Sequence, residues 1–182
     1  MSERRLRLFF ALWPDADGAA QTIALSRVVA EQSGGKATPP ERMHLTLAFL
    51  GAQSPHLVTA LRACVSDFAV QPFAIEFDRI GVWRTTAIAW LAASRPPQGL
   101  VDLNRSLIDA LRPALRIDEE RAFSPHVTLA RRVQRKPLTS RLEAAVVWRI
   151  GAFSLVSSQQ GGDGPSYRRI EDWQLAPRDA AH

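Results

Sequence analysis

The segments HLTLAFLG at His44–Gly51 and SPHVTLAR at Ser124–Arg131 write His-x-Thr-Leu twice, in a chain that owns only four histidines. With 8 Thr and 20 Leu among 182 residues, a given histidine is followed by x-Thr-Leu with a probability of roughly 0.005, and two of four by chance on the order of one time in 10⁴. Chance is rejected, so both segments need one structural account. Thr, Val, Leu and Phe favour extended backbone, and side chains on a strand alternate faces. His44 and Thr46 therefore share one face, with Leu45 and Leu47 behind; His126 and Thr128 do the same, backed by Val127 and Leu129. A fold that brings the two strands together offers two imidazoles and two hydroxyls around one small volume.

The rest of the chain supplies strands and helices in two similar passes. Leu6–Trp13 reads as a buried strand closed by Pro14-Asp15. Asp17 is placed to cap a helix running to about Gln32, with Ile23, Val28 and Val29 inward and Gly34-Gly35 as its stop. Met43–Leu50 is the first motif strand. Ser54-Pro55 opens a helix with Leu57, Leu61, Cys64, Val65 and Phe68 at helical spacing. Phe73–Val82 and Thr86–Ala92 read as antiparallel strands around Trp83-Arg84-Thr85. A helix from about Gly99 to Arg112 carries Leu100, Leu103, Leu107 and Leu111 on one stripe. Phe123–Ala130 is the second motif strand, and Arg149–Ser157 with Tyr167–Leu175 close the chain around QQGGDGPS. One domain of two pseudo-equivalent lobes, covering 1–182 with a frayed tail at 177–182, is the expected organisation.

Composition narrows the partners. The formal charge is +5 and the sequence pI about 10.5, a field that favours anions such as RNA or phosphorylated small molecules. Cys64 is the single cysteine, which excludes an internal disulfide framework and a thiolate metal cluster. The apolar run Leu8–Trp13 is too short for a signal peptide core or a membrane span. A cytoplasmic monomer with no membrane role is the expectation.

Paired histidines suit one chemistry in particular. With an ordinary pKa near 6.5, one imidazole can be neutral while another is charged near neutrality. Phosphodiester cleavage needs a nucleophile deprotonated on one side of phosphorus and a leaving oxygen protonated on the other, each service being worth roughly 10²–10⁴-fold. Threonine hydroxyls can donate to the non-bridging phosphate oxygens. The scheme calls for no metal and no cofactor.

Paired His-x-Thr-x motifs in these contexts resemble the two-histidine phosphoesterase superfamily, in its branch of RNA 2′,3′-cyclic phosphodiesterases, also described as bacterial 2′-5′ RNA ligases. RLFFAL, HLTLAFLG, RPPQGL, FSPHVTLAR and FSLVSSQQGGDGPSYRRIEDWQL extend the resemblance over nearly the whole chain. It implies an α+β fold of two pseudo-symmetric lobes, with antiparallel sheets flanking a central cleft and helices outside. It implies hydrolysis of RNA 2′,3′-cyclic phosphate ends to 2′-phosphomonoesters, with 2′-5′ ligation as the reverse. His44 is implied as proton donor to the leaving O3′ and His126 as the acceptor that activates water. Thr46, Thr128 and Arg131 are implied as phosphate-binding residues. The loop GGDGPS departs from relatives in lacking basic residues, and Asp163 adds an acid.

Other residues have plainer readings. Phe9, Phe10 and Trp83 are expected in the core, with stacking on a base as the alternative. His56 is expected at the surface, His182 in the frayed tail, and Cys64 as an inert buried thiol. Arg131, Arg132, Arg135 and Lys136 form either a solvated face or an RNA funnel. Three rival functions remain open at this point: a two-histidine enzyme acting on a cyclic nucleotide, ADP-ribose cyclic phosphate or 2′-5′ oligoadenylate; a metal hydrolase, which would need carboxylates that the motif strands lack; and a non-catalytic RNA-binding module.

Overall fold

The apolar run at the N-terminus becomes β1 (Leu6–Leu12), in a computed structural model that describes residues 5–66, 68, 70–115, 122–135, 140–161 and 164–176. Lys136, Asp163, His182 and the tail from 177 lie outside the described residues. After β1 come α1 (Ala16–Ser33), the two-residue β2 (Lys36–Ala37), a 3-10 turn at Pro40–Arg42 and β3 (Leu45–Gln53). Next are α2 (Leu57–Val65), β4 (Phe73–Trp83), β5 (Ile88–Ala92) and α3 (Gln98–Leu111). β6 (Val127–Arg131), β7 (Arg141–Ile150), β8 (Ala152–Gly161) and β9 (Gly164–Gln174) complete the described elements.

The strands form one sheet in the order β7-β4-β5-β6-β3-β1-β8-β9, with β2 beside β6. Every described pairing is antiparallel. The sheet divides into two halves of four strands, β9-β8-β1-β3 and β7-β4-β5-β6, joined by the single register pair Leu45↔Val127. This is the expected α+β architecture of two related halves. Each half contains a strand–helix–strand unit, β1-α1-β3 or β5-α3-β6, and each helix reaches across the seam: α1 packs on β6 and β7 of the other half, and α3 on β3 of the other half as well as on β4 of its own.

Sequence explains why these helices sit where they do. In α3 the stripe Leu100, Leu103, Leu107 and Leu111 is fully buried, and each leucine so removed from water contributes about 1.5–3 kcal/mol. α1 is different. Its buried face is Gly18, Thr22, Ser26, Val29, Ala30 and Ser33, while Val28 is 46% exposed. Of the expected inward set Val29 is buried, Ile23 half-buried and Val28 turned outward, because a small-residue face is what lets a helix approach Trp148 of β7. A Cβ on Gly18 would meet Trp148 Cδ1 at 2.5 Å, and the buried indole Nε1 donates to Thr22 Oγ1 at 2.9 Å. The helix is capped by Asp15, not Asp17: the Asp15 carboxylate accepts from Gly18 N–H at 3.3 Å. Gly34 stops it in the left-handed region, φ 65°.

β7 goes beyond the strands that the sequence pattern predicts; it pairs with β4 from Phe73↔Ile150 to Arg79↔Arg141. The expected closing pair of strands is present as β8 and β9, and the glycine at 151 separates β7 from β8. Among the described residues no helix is long and apolar enough to cross a membrane.

Candidate active site

Leu45 and Val127 face each other at the seam. Counting outward in an antiparallel pair sets His44 across from Thr128, and Thr46 across from His126. Leu45, Leu47, Val127 and Leu129 are buried, so the four polar side chains occupy the opposite face of the sheet. All four line one cleft of about 450 Å³. The diagonal relation of His44 to His126 corresponds to a separation of about 7–8 Å between their positions on the strands, room for a phosphate between the rings.

Both motif strands then break their alternation in the same way. Along β3 the partner of Ala48 is Phe10 and the partner of Thr46 is Ala11, leaving Leu47 as an extra residue. Along β6 the partner of Ala130 is Ala89 and the partner of Thr128 is Trp90, leaving Leu129 extra. Each bulge buries two consecutive residues, Leu47-Ala48 and Leu129-Ala130, and re-aims the next side chain. Strict alternation would send Phe49 and Arg131 to the buried face; the bulges return both to the cleft. Helix side chains grip each bulge: Asn104 Nδ2 of α3 donates to Leu47 O at 2.9 Å, and Ser26 Oγ of α1 donates to Leu129 O at 2.6 Å.

The two imidazoles are held alike. His44 Nδ1 is 2.8 Å from Arg42 O, and His126 Nδ1 is 2.8 Å from Ser124 O. A carbonyl only accepts, so each neutral ring carries its proton on Nδ1 and leaves Nε2 as an acceptor. Their surroundings differ. His44 is enclosed by Phe9, Trp13 and Tyr167, with centroids 5.1, 5.4 and 5.0 Å away. Burial, more than the positive charge of His126 and Arg131, pushes its pKa from 6.5 down to about 4, against the opposing bond to Arg42 O. Among the described aromatic rings His126 meets Trp83, edge to face at 4.5 Å and 82°. Its pKa is also lowered, chiefly by burial and then by Arg131. The same burial raises the Tyr167 phenol above 10.0, keeping it a hydrogen-bond donor.

Of the side chains singled out in the sequence, His44, His126, Thr46, Thr128 and Arg131 are brought together. Phe10 is core. Phe9 is buried but touches His44, and Trp83 lines the cleft rather than the core. Trp83 is backed by Trp90 at 5.7 Å, and Trp90 fits because residue 81 is glycine: a Cβ there would meet Trp90 Cζ2 at 2.0 Å. His56 is exposed at the start of α2, and Cys64 is half-buried rather than fully enclosed. The basic run divides, since Arg135 Nε donates to Gln32 O at 2.6 Å while Arg131 enters the cleft. Sequence reasoning passed over Phe49, Arg7 and Tyr167. Phe49 was legible in principle: it follows His44 as Arg131 follows His126. Among the described residues no group of three or more His, Cys, Asp or Glu is arranged to hold a metal ion.

A seam of two bulged His-x-Thr strands, with mirrored imidazoles over one cleft, defines a two-histidine α+β protein. The model of the 2′-5′ RNA ligase superfamily matches residues 12–162, and the chain belongs to that superfamily. It is 27% identical to the RNA 2′,3′-cyclic phosphodiesterase of Escherichia coli (strain K12) over 175 residues, 96% of this chain and 99% of that protein. It is 28% identical to the protein of the same description from Thermus thermophilus over 180 residues, 93% and 90% of the two chains. Among solved structures, E. coli LigT complexed with 3′-AMP superposes with a TM-score of 0.84 at 26% identity, covering 94% of this chain and 98% of LigT. The Thermus thermophilus protein TT0787 gives 0.79 at 26% identity, over 95% and 100%. The likeness therefore spans both halves of the sheet.

Proposed function

We propose that this chain is a phosphodiesterase that opens RNA 2′,3′-cyclic phosphate ends to 2′-phosphomonoesters. The observation that carries the reading is the pair of Nε2 atoms, each freed by an Nδ1 bond to a backbone carbonyl, over a single cleft. The description shared by the curated relatives supports the substrate. His126 takes the proton of an attacking water, whose oxygen bonds to phosphorus. The P–O3′ bond breaks, and His44 supplies the proton that O3′ takes up. Thr46 and Thr128 donate to the non-bridging oxygens, and Arg131 offsets their charge. Ligation is the same displacement with an RNA hydroxyl in place of water, and its reverse recloses the cyclic phosphate and cleaves the 2′-5′ linkage.

The donor role asks something of His44, whose burial favours the neutral ring. The negative phosphodiester supplies it: an anion against the ring favours the imidazolium and raises its pKa. No step uses a metal ion. Digestion of a cyclic-phosphate-ended oligonucleotide in excess chelator, with the product phosphate located by NMR, tests the scheme. A 2′-phosphate with full turnover is expected. A 3′-phosphate reverses the acid and base, and loss of turnover in chelator overturns the metal-free route.

A further inference from the structure

Beside the histidine cleft lies a larger groove of about 910 Å³, and the two share Thr46, Phe49, Trp83 and His126. It is lined by Val101, Arg105 and Ile108 of α3 and by Phe123 and Pro125 ahead of β6. We propose that this groove, which joins the apolar Phe49–Val101 surface to the cations of α3, is a subsite for the nucleotides on the 5′ side of the cyclic-phosphate end. The inference rests on the phosphodiesterase reading above.

The surface itself points to a ligand. Among the described residues three large hydrophobic side chains are exposed, and two of them line this groove: Phe49 at 55% and Val101 at 37%. Soluble proteins rarely gather exposed apolar groups without a partner for them. The charge says which partner. Arg105 and Arg112 stand seven residues apart along α3 and its C-terminal cap, about 10.5 Å along the helix, and both line the groove. Asp109 is the acid among the described lining residues, and Arg112 Nη1 lies 3.6 Å from its carboxylate. Among the described lining residues, two guanidiniums thus stand against one carboxylate.

Aromatic and apolar faces interleaved with arginines are what a single strand of nucleic acid needs, since bases stack and phosphates follow cations. Connectivity gives the direction. A 2′,3′-cyclic phosphate caps the 3′ end, so the remaining RNA leaves its ribose through O5′ and must find a way out of the cleft. The groove is continuous with that cleft at Thr46 and His126, and Phe49 and Trp83 stand at the junction, where the base next to the reacting ribose would stack.

The test compares kcat/KM for a 2′,3′-cyclic mononucleotide with that for a tetraribonucleotide ending in a 2′,3′-cyclic phosphate. The oligonucleotide is expected to be better by about tenfold or more, from one stacked base and its phosphate contact. Arg105→Glu and, separately, Val101→Asp should remove most of that advantage while leaving mononucleotide turnover unchanged. An oligonucleotide no better than the mononucleotide, or an advantage that survives both substitutions, overturns the subsite. So does an equal loss on both substrates, which would mark a structural role. Absence of wild-type turnover on either substrate would instead defeat the underlying function, and the subsite with it.

Discussion

Phe49 and Arg131 occupy one position in two equivalent strands: each comes five residues after its motif histidine, each follows a bulge, and each lines the cleft. The frame is nearly two-fold, yet one place holds a flat aromatic ring and the other a guanidinium. Arg7 strengthens the contrast, its guanidinium lying 5.2 Å from the Phe49 centroid. A symmetric scaffold thereby acquires a side suited to a base and a side suited to a phosphate.

Arg131→Ala should lower kcat/KM by about 10²-fold, the scale of one preorganised group facing transition-state charge. Arg131→Lys should recover only part of it, because an ammonium lacks the planar two-pronged donor. Arg131 also lowers both imidazole pKa values, so in Arg131→Ala both should rise. Imidazole titration by NMR reads this directly, and unmoved values would remove Arg131 from the cleft.

Replacing either imidazole should cost most of the turnover. His44→Ala and His126→Ala are each expected to lower single-turnover rates by about 10²–10⁴-fold. The double variant should fall little further, since an acid and a base that serve one displacement fail together. RNA binding without turnover in the double variant is the matching outcome; unchanged turnover would favour a binding module instead.

The pH profile of kcat/KM should be a bell on the acid side of an ordinary histidine. Catalysis needs one ring neutral and one protonated. Below about 4, the depressed pKa of His44, both rings are cationic and the base is lost. Above the pKa of His126, itself lowered from 6.5, both are neutral and the acid is lost. The maximum in kcat/KM therefore lies between about 4 and 6.5. In kcat it should move upward, because bound phosphodiester favours both imidazolium forms. A kcat/KM bell centred above 7 would contradict the burial of the rings.

Ser26 and Ser33 offer a matched pair. Both are buried on α1, and both donate to carbonyls at 2.6 Å, Ser26 to Leu129 O at the bulge and Ser33 to Val29 O within the helix. Ser26→Ala and Ser33→Ala should each lose about 1 kcal/mol in urea unfolding. Only Ser26→Ala should also lower kcat, through the bulge that aims Arg131. Equal activity in the two variants would deny the bulge that role.

Much of this was legible in the chain, for reasons that differ by element. The leucine stripe of α3 and the alternation of the motif strands from His44 to Leu47 and from His126 to Leu129 are direct readouts of burial at periods of 3.6 and 2, and the structure bears both out up to the bulges. α1 misled because its buried face is Gly18, Thr22 and Ser26, chosen by the needs of Trp148 across the chain and not by hydrophobicity. β7 hid because Leu142–Ala145 carries residues that suit a helix, and its alternation emerges only from Val146 onward. The site was half visible. Residue types announced the imidazoles and hydroxyls, whereas Phe49 and Arg131 reach the cleft through bulges that depend on partner strands. Arg7 and Tyr167 arrive from β1 and β9, a matter of sheet order that local pattern does not encode.

Each half of the sheet lends its connecting helix to the other. Spreading the cleft would mean peeling α1 from β6 and β7 and α3 from β3, and not merely parting the short seam at Leu45 and Val127. The imidazoles are thus mounted like the jaws of a locked calliper, whose gap is set by the packed interior. Such an instrument accepts substrates by size and refuses to widen for those that do not fit.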